Sequence, residues 1–540
     1  MPTNTRVFPL VGLLWPSLPA TAGVVCVCAL LSSSARAQTL PDNIDISASP
    51  NGIVVLPTSV SPVFRNVFDR YTKVVAPNGQ AIHFLLQSQV TDEMAVRARE
   101  VLRFYITDVP GTQYGANKTA LANQMGNLEA ALVYFNTEQA ASQAFNGPLG
   151  NANIFAQDLY ATESVLEGSG QYLNNTVRDA TLEEVFHLVH GAGLQPTLPA
   201  FHEEILQATN AAIAAGMYNP PPPSELPPAD RPFEYIISII DVYYGFWAHN
   251  PDGNGTSFGG EYAFHTRAAL EAGDLAGVTA MLKFLPANFS ADLSAAASFN
   301  GTFSFEFDSS TPYTHKSQYL TRMTLSGQSS SHLRGNSFDN TLAGNSGNNT
   351  LNGGAGSDTA VFRGPRAEYT LLGSLVSDSV AGRDGSDTLV DMEWLKFSDQ
   401  TIPAGGAGSI LNYCTSRVNS SGAPAIVFSG SHPSAGANDL ALLALPVPAN
   451  QPGIFFYGPN QVQLPFGNGT RCIGAPITRL GVTFASPFGD MQVTIDNQAA
   501  PISGAFTPGS VWNFQAWFRD PVAGGANFDL SDGLEVTFGP

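Results

Sequence analysis

The 540-residue sequence predicts a multidomain chain with three folded parts: an α+β region, a run of short tandem repeats, and an all-β region. Three observations predict this. Long amphipathic helical patterns gather before residue 325, nonapeptides that begin with glycine follow one another from Gly335, and short apolar strands with Gly, Pro and Asn turns take over from Ile410. Composition agrees: 44% of residues are hydrophobic and only 13% charged, with 52 Gly and 38 Pro, a profile of loop- and strand-rich extracellular proteins. The formal net charge of −20 argues against a nucleic-acid partner and against docking on an anionic membrane. It is compatible with binding cations.

Residues 1–37 read as a signal peptide. Arg6 precedes an apolar run broken by Pro16 and Pro19, Ala22 to Leu31 forms a short core, and Ala35-Arg36-Ala37 supplies a small-residue site with cleavage before Gln38. The run is too short and interrupted for the ~20 apolar residues of a membrane span, and no second one follows. The expectation is a secreted protein, extracellular or at the cell surface, with no transmembrane segment. Cys26 and Cys28 leave with the leader, so Cys414 and Cys472 remain, and an oxidising compartment makes a disulfide their default. A zinc site built on cysteines is thereby excluded.

Residues 38–325 form the α+β domain. Ile82–Leu86, Ala130–Phe135 and Asn153–Tyr160 read as strands. Thr91–Tyr105, Thr176–Val189 and Pro232–Trp247 read as helices, the last two separated by a proline-rich loop. At 3.6 residues per turn, Glu183, His187 and His190 share an arc of ~60° with Glu184 on its flank. Carboxylate and imidazole on one stripe of an otherwise apolar helix suit an interior metal site. They equally suit a packed helix whose histidines are hydrogen-bonded, and both readings stand. Glu261, after Gly259-Gly260, reads as a helix-start cap or a rival ligand. His202-Glu203-Glu204 lacks a second histidine four residues on, and the loop beginning at Asn250 reads as a loop before an ion site. No G-x-S-x-G elbow with credible partners, P-loop or dinucleotide fingerprint is present.

Glu183-Glu184-Val185-Phe186-His187 resembles the HExxH motif of zinc metallopeptidases, with Glu183 in the place of the first histidine. Phe233-Glu234-Tyr235 is similar to the later glutamate segment of the gluzincin type. The resemblance implies a zincin-like fold, zinc on Glu183, His187 and Glu234, and Glu184 as general base. It also implies His190 or Glu261 as a supporting or alternative ligand, and a tyrosine, among Tyr235, Tyr243, Tyr244 and Tyr262, facing the oxyanion. A glutamate replacing histidine makes the metal a poorer Lewis acid. Hydrolysis of an extracellular peptide and a relic fold without activity therefore both stay open.

Residues 326–334 read as a Ser/Gly-rich linker. Three nonapeptides follow, Gly335–Ala343, Gly344–Asn352 and Gly353–Val361, each a tight turn and a short strand with Leu342, Leu351 or Ala360 facing inward. They resemble the RTX (haemolysin-type) calcium-binding repeat, G-G-x-G-x-D-x-U-x, which implies a parallel β-roll holding Ca²⁺ between turns. The acidic sixth position is Asn340, Asn349 and Asp358 in turn, and Phe338 replaces a glycine, so the expected affinity is modest. Asn340 and Asp358 are the expected calcium ligands. Segments Asp384–Leu389 and Glu393–Asp399 are similar to the stretch that caps such rolls, which places the roll and cap at 335–403, with a glycine-rich linker at 404–409.

Residues 410–540 read as a β-sandwich, with Trp512, Phe514, Ala516 and Phe518 alternating as a core face. Tyr413-Cys414, Phe455-Phe456-Tyr457-Gly458-Pro459 and the closing Leu530–Pro540 resemble a C-terminal sandwich of unassigned activity in secreted bacterial proteins. Surface attachment, carbohydrate binding and a stabilising cap all fit. The sequence thus supports two functions. One is a secreted calcium-binding RTX-type protein with a divergent zinc-metallopeptidase-like domain. The other is a non-enzymatic surface or matrix protein with a calcium-stabilised roll and a sandwich that binds an extracellular surface ligand.

Overall fold

The computed structural model describes residues 40–152, 154–249, 255–372, 374–404, 410–429, 433, 435, 438, 440–507 and 509–539. The expected signal peptide, residues 250–254 of the Asn-rich loop and residues 405–409 of the expected linker lie outside the described residues. The chain divides into two compact units at Gly356/Ser357, inside the third nonapeptide rather than at 404–409.

The first unit is built on a five-stranded sheet of β1 (Val54–Val55), β2 (Arg70–Val75), β3 (Ala81–Leu86), β4 (Ala131–Phe135) and β5 (Ala156–Tyr160), in that order. The first three are antiparallel neighbours, whereas β3, β4 and β5 run parallel. Every residue of these three strands is buried, including the polar His83, Gln157 and Asp158, so they show no alternation of apolar and polar positions. Helix α1 (Asp92–Ile106) starts where Thr91 accepts a hydrogen bond from the Met94 amide. It packs against α2 (Thr181–Val189), which also lies against β5. Two further helices, α3 (Pro199–Ala214) and α4 (Arg231–Tyr243), pack on each other, and α4 reaches α2. Beyond Val189, α2 widens into a π-helical turn, His190–Leu194. A side chain at Gly193 would meet Leu121 at 2.8 Å, so glycine permits this close approach.

The same unit continues into a two-sheet parallel roll. Strands β6 (Thr302–Ser304), β8 (His332–Arg334) and β10 (Thr350–Asn352) pair in register on one side. On the other, β7 (Arg322–Thr324) pairs with β9 (Thr341–Ala343). Each three-residue strand turns its middle residue inward, and Phe303, Met323, Leu333, Leu342 and Leu351 are buried. This corrects the boundaries read from sequence. The stretch 326–334 contains a strand, because Leu333, nine residues before Leu342, fills the inward position beside Leu351 in the facing sheet, and β6 and β7 start the roll inside the region assigned to the α+β domain.

In the second unit, β11 (Thr359–Val361) runs parallel to β15 (Trp394–Lys396), which pairs with β16 (Thr401–Pro403). A meander of β12 (Tyr369–Leu372), β13 (Leu375–Asp378) and β14 (Ser386–Val390) accompanies them. The all-β region follows as one sheet of β17 (Ile410–Tyr413), β27 (Gly533–Thr537), β25 (Val511–Arg519), β20 (Pro452–Gly458) and β23 (Thr478–Phe484), with β26 (Phe528–Leu530) also on β25. A second sheet contains β18 (Ile426–Ser429), β19 (Ala441–Leu445) and β24 (Met491–Thr494). Strands β21 (Asn460–Phe466) and β22 (Gly469–Gly474) form a separate hairpin. One core joins the two sheets, with Phe455, Phe514 and Phe518 from the first meeting Val427, Leu442 and Met491 from the second. Cys414 and Cys472 are bonded, closing a loop with a sequence separation of 58. Replacing both by serine is expected to lower the stability of this unit by about 4 kcal/mol in the chain-entropy account. Chemical denaturation followed by tryptophan fluorescence would measure it, and an unchanged midpoint would contradict it.

Candidate metal centre

Glu183 and His187 stand one helical turn apart on α2, and Glu234 lies in the first turn of α4. All three are buried, and one ligand atom from each lies within 4.8 Å of the others. His187 Nε2 is 3.7 Å from Glu234 Oε1 and makes no hydrogen bond. That separation is too long for a hydrogen bond. It is close to the ~3.4 Å between two ligands held ~2.1 Å from one tetrahedral ion. A buried imidazole nitrogen without a partner, aimed at a carboxylate at this distance, fits a divalent metal.

The neighbouring residue, Glu184, lies on the flank toward β5. Gln157 Nε2 donates to its Oε2 at 2.6 Å, and the same oxygen is 3.5 Å from His187 Nδ1. Burial, reinforced by the charge of Glu183, holds the Glu184 carboxyl well above the ordinary range. Glu163 is raised by burial and then by Glu184. Burial pushes Glu234 up to about 8, against the opposing effect of His187, and pushes Glu261 up to about 8 with help from Glu183. These acids are too many for the cations among them. Arg178 pairs with Glu183 and, at 3.1 Å, with Asp241, while its guanidinium packs over the rings of Trp247 and Phe258. A cluster of mutually destabilised carboxylates is relieved either by protons or by a divalent cation.

Other expected participants sit elsewhere. His190 closes α2, its amide still bonded to the Phe186 carbonyl, and the π-helical turn begins there. Its Nε2 is 3.0 Å from His202 Nδ1, and its ring stacks on Phe233. Glu261 is outside the converging group and starts no helix: it ends the short 3-10 turn Phe258–Gly260, and the next helix starts at Arg267 with Thr266 as its cap. The four tyrosines are engaged away from the centre. Tyr235 and Tyr262 both donate to Asp274 at 2.8 Å, Tyr244 donates to the Pro286 carbonyl, and Tyr243 packs under Arg267. Tyr218, which the sequence did not single out, is buried with an unpartnered hydroxyl. Burial and then Glu234 hold its phenol above the usual range. Tyr218 lies outside any helix or strand, so no periodicity could have selected it.

In the repeats, Asn340 is hydrogen-bonded within its own turn. Its Oδ1 accepts the Asn336 amide at 2.8 Å and its Nδ2 donates to Asn336 Oδ1 at 3.0 Å. Asp358 is buried in the second unit, where its amide donates to Glu393 Oε2 and its carbonyl accepts from the Glu393 and Trp394 amides.

Residues 329–360 match the family of RTX calcium-binding nonapeptide repeats, in four copies. The fourth copy accounts for the strand in 326–334. No curated protein matches the chain. A crystal structure of a tetra-tandem repeat from the extending region of a large adhesion protein is similar over 30% of this chain, at 14% identity and a TM-score of 0.15. The chain spans 37% of that structure's length. No helix among the described residues is long and apolar enough to cross a membrane.

The buried acids make a pH prediction. Glu234 and Glu261 at about 8 and Asp241 at about 7 lie above their unfolded values. The folded state therefore binds more protons than the unfolded state between about pH 4 and 8, and stability falls as pH rises through that window. The metal-free protein is expected to melt at lower temperature at pH 8 than at pH 5. Calorimetry across that range would check it, and a rising melting temperature would contradict it.

Proposed function

We propose that this chain is an extracellular calcium-binding RTX-type protein whose first unit carries a divergent zinc-hydrolase centre acting on peptide bonds. One observation carries the enzymatic part: Glu183 and His187 on α2 and Glu234, remote from them in sequence on α4, bring buried ligand atoms within 4.8 Å of one another. Three protein ligands are the number that leaves a tetrahedral ion an open position. Bound zinc would supply Lewis acidity and lower the pKa of a water molecule.

The remaining roles belong to the chain. Glu184, oriented by Gln157 and raised above the ordinary carboxylate range, accepts a proton from the nucleophile and returns it to the leaving group. Tyr218, whose buried hydroxyl makes no hydrogen bond and feels the charge of Glu234, supplies a hydrogen-bond donor for developing negative charge. Arg178 holds Glu183 in place from the side of Asp241. The same ion pair reduces the charge that Glu183 offers a metal, which makes this a weaker Lewis-acid site than one with two histidines.

That pairing also favours the second reading, in which Arg178 is the built-in counterion of a structural cluster and the protein is a non-enzymatic surface or matrix component. Metal analysis of the purified chain distinguishes the two. The hydrolase reading expects about one zinc per chain, lost in His187→Ala and in Glu234→Ala. Glu184→Gln is expected to keep the zinc and lose roughly 10²–10⁴-fold in peptide hydrolysis. A folded chain without zinc sinks the hydrolase reading.

A further inference from the structure

The repeat turns fall into two kinds. In the nonapeptides starting at Gly335 and Gly344, positions two and six are both asparagine: Asn336 with Asn340, and Asn345 with Asn349. In the one starting at Gly353, the same positions are Gly354 and Asp358. The substitutions at the two positions go together, and the structure shows why.

Within each asparagine pair, the second side chain accepts the first residue's amide, Asn336 N to Asn340 Oδ1 at 2.8 Å and Asn345 N to Asn349 Oδ1 at 2.9 Å. The second Nδ2 donates back to the first Oδ1, at 3.0 and 3.1 Å. Both amides are thereby oriented, and the first residue's Nδ2 points at the turn stacked beside it. Asn336 Nδ2 donates to the carbonyls of Gln318 (3.0 Å) and Leu320 (2.9 Å). Asn345 Nδ2 donates to those of Ser326 and Ser329, both at 2.9 Å, and Asn349 Nδ2 to that of Ser331 at 2.8 Å. Converging backbone carbonyls between stacked turns are the oxygen shell that a hard cation would otherwise fill. Here side-chain N–H groups meet them.

Backbone conformation separates the two kinds independently. Gly354 and Gly356 have φ of +93° and +132°. At the equivalent positions Asn336, Phe338 and Asn345 have no positive φ, and Gly347 stays outside the left-handed range. The asparagine turns thus do without the left-handed residues that the glycine-rich turn employs. Closure of the first is tight: a side chain at Gly335 would lie 2.1 Å from Asn340 Oδ1 and 2.1 Å from the Gly353 carbonyl.

We propose that the Asn336/Asn340 and Asn345/Asn349 turns are amide clamps that take the place of bound calcium, so that this part of the roll stays ordered without the ion and calcium chemistry is restricted to the Gly354/Asp358 kind of turn. The inference is independent of the metal centre on α2 and α4.

Hydrogen exchange read by mass spectrometry on the full chain tests it, comparing EDTA with millimolar calcium. Amides of 341–343 and 350–352 are expected to keep the same protection within about twofold. Loss of about tenfold or more in EDTA overturns the proposal. A second chain, Asn345→Gly with Asn349→Asp, restores the glycine and carboxylate of the other kind. Its 350–352 protection is expected to become calcium-dependent by about tenfold or more, and protection that ignores calcium in this variant also overturns the proposal. The wild-type comparison decides whether or not the variant folds.

Discussion

One buried arginine organises the first unit. Arg97 of α1 donates from Nε and Nη2 to Glu167, at 2.9 and 2.8 Å, and its Nη1 meets Asp179 Oδ2 at 2.8 Å. The pair Arg97 and Glu167 is almost wholly out of water, where an ion pair persists only if its geometry satisfies both partners. Asp179 passes the constraint on. Its Oδ1 accepts from the Val165 amide and from the Thr181 hydroxyl, which sets the start of α2. Arg178, the residue before, is then placed to pair with Glu183 and Asp241, so that one arginine on α1 determines how the acidic stripe of α2 faces α4.

Buried polarity is handled by two different chemistries within the same unit. On α2 and α4, carboxylates are held together with few cations, and their charge is relieved by protons or a divalent ion. In the roll, the equivalent demand comes from backbone carbonyls that converge between stacked turns, and neutral amides meet it. A primary amide has donors and acceptors at once, so one asparagine pair can close its own turn and still reach the next. A carboxylate at the sixth position can only accept, and then a cation has to complete the shell.

Much of the first unit was legible in the sequence because it follows simple periods. The run of β4 is apolar throughout and that of β3 is broken only by His83, and Thr91 marks the start of α1 by its side-chain cap. Glu183 and His187 are four residues apart, a spacing that puts them on one face of any α-helix. What was not legible depends on departures from those periods. His190, the last position on the α-helical period, has its ring against His202 and Phe233, and Tyr218, whose buried hydroxyl makes no hydrogen bond, lies outside regular helix and strand. The early rungs at β6, β7 and β8 escaped notice because their turns lack the glycine pattern, although Phe303, Met323 and Leu333 fill the same inward position.

The sequence by itself determined the division into helical, repetitive and strand-rich parts, the helix carrying Glu183 and His187, and the pairing of Cys414 with Cys472. These follow from local patterns, which act over a few residues and are written directly in the chain. Only the tertiary structure decided that Glu234 meets His187, that four candidate tyrosines are engaged elsewhere, and that paired asparagines bridge successive turns. Each of those depends on contacts between segments distant in sequence, and the direction of a side chain across such a contact is set by packing rather than by its neighbours along the chain.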